Sequence, residues 1–200
     1  MKTLITLFAC AVAAHGADTI DAFGRHWSVT DAADWKLVAD NGPPVLRLLT
    51  PREPGTPRRP SQFALAEIPP YQRLTFDVEV KRNESSLILV FAWRDAGHFN
   101  YAHLSADTAR AQPHHNGVFH VYGGERVRIS AETGPAALVT PDWHKVRLVH
   151  DARTGKVTVT VDGKRVPSIE ATDASLGAGR VGLGSFDETA QFRNVKINVR

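Results

Sequence analysis

The chain has 200 residues, of which 42% are hydrophobic and 22% charged, so it can bury a core and is not disordered throughout. Its 24 Lys and Arg against 21 Asp and Glu give a net charge of +3 without the clustered basic face of a nucleic-acid-binding protein, and no nucleic-acid partner is expected. Cys10 is the only cysteine. This excludes a disulfide framework, a Cys-ligated zinc site and an iron–sulfur cluster.

The N-terminal segment has the pattern of a secretory signal peptide. Lys2 precedes a largely apolar run over residues 3–14, and Ala14 and Gly16 put small residues at −3 and −1 of a cleavage point. The run is too short to span a bilayer, so no membrane span is expected. We predict a signal peptide over 1–16, one domain over 17–200, and a secreted or periplasmic location. Lipid attachment at Cys10 is the alternative.

A proline-rich segment follows at residues 51–60. Its prolines recur at every third position, which favours an extended, polyproline-like conformation. The simpler interpretation is a stiff surface loop between two strands. The alternative is a cationic arm beside a binding groove, where arginines would meet carboxylated or sulfated sugars. The arginines concerned are Arg52, Arg58 and Arg59.

The rest of the chain alternates apolar and polar residues with a period of two. Residues 74–80, 157–161 and 195–199 each place apolar side chains on one face, as half-buried strands do. Residues 87–93 form a more continuous apolar run, which predicts a strand covered on both faces. About a dozen short strands and no long stretch of helical period predict an all-β antiparallel sandwich or jelly roll.

Glycine-containing turns separate these strands. Residues 151–155 (DARTG) and the pair Asp162 and Gly163 are typical of hairpin turns. Residues 116–117 (NG) and 123–124 (GG) enclose another short strand. Residues 177–182 (GAGRVG) match G-x-G-x-x-G, but the match precedes a strand in a β-rich region. A dinucleotide site requires a strand before it and a helix after it, so these are better explained as turn glycines.

Four stretches resemble the concanavalin A-like lectin/glucanase superfamily, including its laminin-G-like secreted bacterial members. They are residues 143–148 (WHKVRL), 161–164 (VDGK), 182–186 (GLGSF) and 192–197 (FRNVKI). The resemblance implies a two-sheet antiparallel jelly roll whose concave sheet holds an oligosaccharide or polysaccharide. It also implies that a structural calcium is possible. Arg193 stands where relatives often have Asp, although Asp187 and Glu188 are nearby carboxylates.

Five of the nine histidines lie between residues 98 and 120, among aromatic and amide side chains. On strands through 98–105 and 117–122, packing Ala102, Leu104, Phe119 and Val121 inward would leave Tyr101, His103, His120 and Tyr122 on one polar-aromatic surface. Such a surface suits a sugar, because aromatic rings cover its apolar face and polar groups bind its hydroxyls. The predicted substrate-binding residues are Trp93, Arg94, His98, Asn100, His114, His115, Asn116, His120 and Tyr122.

Three chemistries could use this cluster. Binding alone is the first, in a secreted lectin-like module. The second is β-elimination of a uronate polysaccharide, with Tyr101 and His103 as acid and base and Arg94, Asn100 or Asn116 on the carboxylate. For either chemistry, His103→Ala is expected to weaken ligand binding or turnover while leaving the melting temperature within a few degrees.

The third chemistry is a metal site, in which imidazoles are joined by a carboxylate. Its candidate ligands are His114, His115, His120 and Asp107. A retaining glycosidase is not expected, because the E-x-D-x-x-E pattern is absent and Asp77 and Glu79 look like an ordinary solvated strand face. A protein–protein adhesion module remains a further alternative to glycan binding. The sugar and the oligomeric state are not specified by the sequence.

Overall fold

A computed structural model describes residues 18–39 and 42–200. The predicted signal peptide over 1–16 and Cys10 lie outside these residues. Within the described ranges, no helix is long and apolar enough to cross a membrane.

The described part of the chain forms fifteen strands and one short 3-10 turn at Ala32–Asp34. The strands in chain order are β1 Asp18–Ala22, β2 Arg25–Val29, β3 Trp35–Val38, β4 Val45–Leu48, β5 Gln62–Ala66, β6 Arg73–Arg82, β7 Ser86–Asp95, β8 His98–Ser105, β9 Gly117–Tyr122, β10 Arg126–Arg128, β11 His144–Asp151, β12 Lys156–Val161, β13 Lys164–Thr172, β14 Arg180–Ser185 and β15 Ala190–Val199.

The strands form two antiparallel sheets. The eight-stranded sheet has the order β1-β2-β5-β14-β7-β8-β9-β10, and the seven-stranded sheet has the order β13-β12-β11-β6-β15-β4-β3. The all-β sandwich predicted from the sequence is therefore confirmed. The predicted hairpin turns are also present, since residues 151–155 join β11 to β12 and Asp162 and Gly163 adopt positive φ between β12 and β13.

The main core lies between the two sheets. The alternating apolar positions of β6 and β12 point into it, where Phe76 and Val159 are fully buried. Trp27 is also fully buried, and its indole N–H donates to the carbonyl of Ala22 at 2.9 Å. Burying such side chains contributes on the order of 1.5–3 kcal/mol each, so this layer supplies most of the stabilising free energy.

A second apolar cluster lies on the outer face of the eight-stranded sheet, the face turned away from the other sheet. β7 contributes to both clusters, because Leu89 and Phe91 enter the main core whereas Ile88 and Val90 enter the outer one. This confirms the prediction that residues 87–93 are covered on both faces. The outer cluster consists of Phe63, Leu65, Ile88, Val90, Phe99, Tyr101, Phe119 and Val121, with Trp93 packed against it.

The proline-rich segment 51–60 connects β4 to β5 as a surface loop. The two ends of this segment contact different parts of the molecule. The Arg52 guanidinium pairs with Asp31 and Asp34 beside the 3-10 turn. The Arg59 Nε–H donates to the carbonyl of Ala96 at 2.9 Å, which holds the end of the loop against the outer face of the eight-stranded sheet.

Candidate functional site

The two histidine-rich strands are neighbours, as predicted, but their side chains are arranged differently. β8 pairs with β9 in a register that sets Tyr101 opposite Phe119 and Asn100 opposite His120. Tyr101 and His103 therefore share the outer face with Phe119, whereas His120 points to the other side of the sheet. The predicted common surface is wrong. A shift of one residue exchanges the two faces of a strand, and here both faces are apolar, so hydrophobicity did not specify which one turns inward.

Tyr101 and His103 are sealed within the outer cluster. Their exposed fractions are 0% and 1%. The His103 ring lies parallel to Phe186 with centroids 6.1 Å apart, and its Nε2 lies 2.9 Å from the Ser86 hydroxyl. Burial raises the pKa of the Tyr101 hydroxyl and lowers the pKa of His103 well below the usual range. His103 is therefore held neutral as a packed core residue.

Four of the predicted binding residues lie close together where β8 begins and β9 ends. His98 lies edge-on to Tyr122, with ring centroids 4.7 Å apart, and His120 stacks on Tyr122 at 5.5 Å. His120 Nδ1 lies 2.8 Å from both Asn100 Oδ1 and the carboxylate of Asp173. Tyr122 is 61% exposed, but the imidazole and amide groups around it already have partners within the protein.

Asn116 has a structural role. It is fully buried, and its Nδ2–H donates to the carbonyl of Pro135 at 2.6 Å and to the Ser168 hydroxyl at 3.0 Å. Its Oδ1 accepts from the backbone N–H of Ala137 at 3.0 Å. These bonds attach the loop before β9 to the segment before β11. Because the Asn116 side chain is not accessible from solvent, it cannot make the predicted contact with a ligand.

The remaining predicted residues are dispersed. The Arg94 guanidinium donates to the carbonyl of Leu176. His114 is exposed, and His115 Nδ1 lies 3.2 Å from Asp107. No three His, Cys, Asp or Glu side chains in residues 18–39 and 42–200 lie close enough to hold a metal ion, so the predicted site of His114, His115, His120 and Asp107 is not formed.

The carboxylates considered for calcium are engaged elsewhere. Asp187 lies 3.6 Å from the Arg58 guanidinium, and Glu188 accepts hydrogen bonds from the backbone N–H and the hydroxyl of Ser86. Arg193, at the position where the superfamily often has Asp, pairs with Glu79. Within residues 18–39 and 42–200, these carboxylates do not form a group that fits calcium.

A cleft of about 350 Å³ opens on the outer face of the eight-stranded sheet, between that face and the end of the proline-rich loop. We call it the outer cleft. Apolar side chains from β5 form its floor, and the guanidinium groups of Arg59 and Arg180 lie at its sides. Its principal lining residues are Ser28, Arg59, Phe63, Leu65, Trp93 and Arg180.

Trp93 and Arg180 form the polar-aromatic wall of the outer cleft. The Arg180 guanidinium lies 5.0 Å above the Trp93 ring and donates to the Ser28 hydroxyl at 2.7 Å and to the Leu65 carbonyl at 3.0 Å. Glu67 pairs with Arg180 on its solvent side. The Trp93 indole N–H is buried and has no acceptor in the described chain. An aromatic surface beside unsatisfied donors is suited to a polyhydroxylated ligand.

The sequence indicated part of this cleft. Trp93 was among the predicted binding residues, and Arg59 belongs to the predicted cationic arm. Arg180 lies inside the glycine-rich match that the sequence explains as turn residues, and Phe63 and Leu65 belong to no motif in the sequence. Only the order of strands in the sheet brings β2, β5, β14 and β7 side by side and so joins these side chains.

A larger hollow of about 430 Å³ lies on the outer face of the seven-stranded sheet. Its lining includes the charged side chains of Asp77, Glu79 and Arg147. Arg147 pairs with Asp77 at 2.6 Å, and Glu79 pairs with Arg193 at 2.7 Å. No aromatic ring lines it. This agrees with the sequence-based interpretation of Asp77 and Glu79 as a solvated surface, and we favour the smaller outer cleft as the functional site.

No family model and no curated protein sequence matches this chain. Among solved structures, it is similar to the carbohydrate binding module CBM66 from Bacillus subtilis, with a TM-score of 0.61, 17% identity, and coverage of 86% of this chain and 94% of that chain. The bifunctional GH43-CE protein of Bacteroides eggerthii gives a TM-score of 0.61 and 14% identity, over 90% of this chain and 24% of that one.

A third similar structure is a Bacillus subtilis protein of unknown function with a galectin-like fold. Its TM-score is 0.51 with 16% identity, over 84% of this chain and 88% of that chain. At these identities the likeness concerns the fold. The chain thus has the two-sheet antiparallel β-sandwich that these three proteins share, which agrees with the jelly roll implied by the resemblance to the concanavalin A-like superfamily.

Proposed function

We propose that this protein is a carbohydrate-binding module that takes a glycan in the outer cleft. The observation that carries the proposal is the Trp93 wall, in which an indole with an unsatisfied N–H stands over an apolar floor beside Arg59 and Arg180. The C–H face of a pyranose or furanose ring would pack on the indole, while the guanidinium and Ser28 groups would bind its hydroxyls.

The dimensions of the cleft agree with this function. Its volume of about 350 Å³ lies at the lower end of the range for small-ligand sites, roughly 300–1,000 Å³, and accommodates one or two sugar residues. The site is built on strands, with Trp93 at the end of β7 and Arg180 at the start of β14. Rigid placement of the groups reduces the entropic cost of binding.

The fold and the N-terminal pattern support the same function. One similar structure is named a carbohydrate binding module, although that name describes the other protein. Membership of the concanavalin A-like superfamily, in its laminin-G-like branch, is the corresponding proposal for this chain. The signal-peptide pattern over residues 1–16 supports a secreted or periplasmic location, where polysaccharides are the available partners.

The test is a glycan array followed by calorimetric titration of the best ligand against Trp93→Ala. We expect the variant to bind about tenfold more weakly, because it loses the stacking surface. Trp143→Ala is a matched control, since Trp143 is also half-buried beneath an arginine, with Arg193 lying 4.1 Å above its ring on the other sheet. Equal losses in both variants, or no glycan bound at all, would overturn the proposal and favour the adhesion module.

A uronate lyase is the second candidate, because Tyr101 and His103 share one face with ring centroids 6.2 Å apart. Against it, neither side chain reaches solvent, and a base must reach the proton that it removes. Incubation with a panel of uronate polysaccharides distinguishes the two functions. We expect constant ultraviolet absorbance. A rise in absorbance that disappears in Tyr101→Phe would establish elimination chemistry and would contradict a function in binding alone.

A further inference from the structure

Two guanidinium groups converge on one aromatic ring beside the outer cleft. The Arg126 guanidinium lies 4.2 Å and the Arg58 guanidinium 4.9 Å from the centroid of Phe186. The half-exposed Asp187 lies 3.6 Å from Arg58, and the exposed Glu125 precedes Arg126 in the chain. Two like charges held this close, with counter-charges that are partly or largely solvated, are an unfavourable arrangement unless another anion joins them.

Other arginines of the described chain have their positive charge neutralised by a carboxylate in direct contact. Several have a carboxylate at direct ion-pair distance and therefore carry little residual attraction for an external anion. These pairs are Arg147 with Asp77, Arg165 with Glu170, Arg193 with Glu79, and Arg52 with Asp34. Arg126 has no such partner in residues 18–39 and 42–200.

Three donor groups at the same place also lack acceptors. In the described part of the chain, the Nε and one terminal nitrogen of Arg126 are buried without a hydrogen-bond partner, and so is the hydroxyl of Tyr101. Burial lowers the pKa of Arg126 and raises the pKa of Tyr101, while the charges of Arg126 and Arg58 partly offset the second effect. Unsatisfied buried donors cost on the order of 1–3 kcal/mol each. An oxyanion bound by the Arg126 guanidinium would offset that cost at Arg126, whereas the Tyr101 hydroxyl is closed off from solvent.

We propose that Arg58 and Arg126 form an anion subsite that takes the carboxylate or sulfate group of an acidic saccharide bound in the outer cleft. This inference rests on the proposed function and specifies its ligand class. A guanidinium presents paired N–H groups that match the two oxygens of a carboxylate or sulfate, so Arg126 would supply a bidentate contact and Arg58 a second charge.

The subsite is continuous with the cleft. Arg58 is adjacent in the chain to Arg59, which lines the cleft, and the backbone N–H of Arg126 lies 3.5 Å from the carbonyl of Arg58. On the floor, the Phe63 ring of the cleft lies 5.3 Å from Phe99, whose ring is 6.1 Å from Tyr101. A saccharide in the cleft would therefore place its acid group, or that of the next residue, against Arg58.

The experiment compares an oligogalacturonide with its methyl ester by calorimetric titration, because the two ligands differ only in the charged group. We expect the acid to bind the wild-type protein about tenfold more tightly than the ester. Arg126→Gln should abolish this preference while leaving affinity for the ester unchanged. Arg126→Lys, which keeps the charge but loses the paired donors, should retain about a third of the preference.

Matched variants separate the subsite from general charge effects. Arg147→Gln removes one positive charge from the opposite face of the sandwich and should leave the preference intact. Arg58→Gln tests the exposed member of the pair in case Arg126→Gln does not fold, as judged by its melting curve. Dextran sulfate against dextran gives the same comparison for sulfate and identifies which acid group is preferred.

The outcomes distinguish this inference from the proposed function. Equal affinity for the acid and its ester, and for dextran sulfate and dextran, would overturn the anion subsite while a Trp93-dependent signal preserved the binding module. An acid preference that survives both Arg126→Gln and Arg58→Gln would also overturn it, since the charge would then act elsewhere. Failure of every glycan to bind would reject the proposed function itself.

Discussion

Mild acidification should weaken the fold through a buried histidine. His150 is fully buried beside Phe91, with its Nδ1 3.0 Å from the Tyr71 hydroxyl, and burial lowers its pKa from the usual 6.5 to about 4. The unfolded chain therefore takes up this proton first as the pH falls. The stabilising contribution is complete above pH 6.5 and is lost towards pH 4, by about 1.4 kcal/mol per pH unit, or about 2 kcal/mol at pH 5 and about 3 kcal/mol in all.

Urea unfolding of the wild type and of His150→Asn at pH 7, 6 and 5 measures this contribution. Asparagine stays neutral and keeps a group that can bond Tyr71, so the variant should lose about 2 kcal/mol less than the wild type between pH 7 and 5. His103, also buried with a lowered pKa, contributes equally to both proteins. The carboxylates with lowered pKa values act below this window. Parallel pH profiles for the two proteins would refute the reasoning.

Two further predictions concern stability. Gly155 adopts φ +73° and a Cβ there would lie 2.1 Å from the carbonyl carbon of Asp173, so Gly155→Ala should cost about 2–4 kcal/mol in urea unfolding. Gly163→Ala, at φ +77° in open space, should cost about 1 kcal/mol, and similar losses for both would contradict the clash. His103→Ala should lower the free energy of unfolding by about 2–4 kcal/mol through the cavity it leaves. A melting temperature within a few degrees of wild type would instead support the earlier expectation of an accessible residue.

The sandwich could be predicted because its signals are local. Alternation in 157–161 specifies a half-buried strand, and the doubly apolar run over 87–93 specifies a strand between two covered faces, since both patterns follow from side-chain direction alone. Turn positions were equally local, because Asp162 and Gly163 adopt conformations with positive φ that few other residue pairs tolerate.

The site was only partly predictable because it depends on register and strand order. Within β9 the sequence shows that Phe119 and His120 point to opposite faces, but only pairing with β8 shows that Phe119 lies with Tyr101. Arg180 joins Trp93 because β14 lies beside β7 in the sheet, although 86 residues lie between the two in sequence. Contacts of this kind between distant residues leave no periodic signal in a single sequence.

The indole N–H resonances provide the most direct test that a saccharide occupies the outer cleft. Trp27 donates its indole N–H to Ala22, whereas the Trp93 N–H has no acceptor within residues 18–39 and 42–200, so the two signals can be separated and assigned by substitution. Titration with the best-binding oligosaccharide, followed by ¹H–¹⁵N correlation spectra, should shift the Trp93 signal progressively and leave those of Trp27 and Trp143 in place. An unmoved Trp93 signal at saturation, or movement of Trp143 instead, would contradict binding at this cleft.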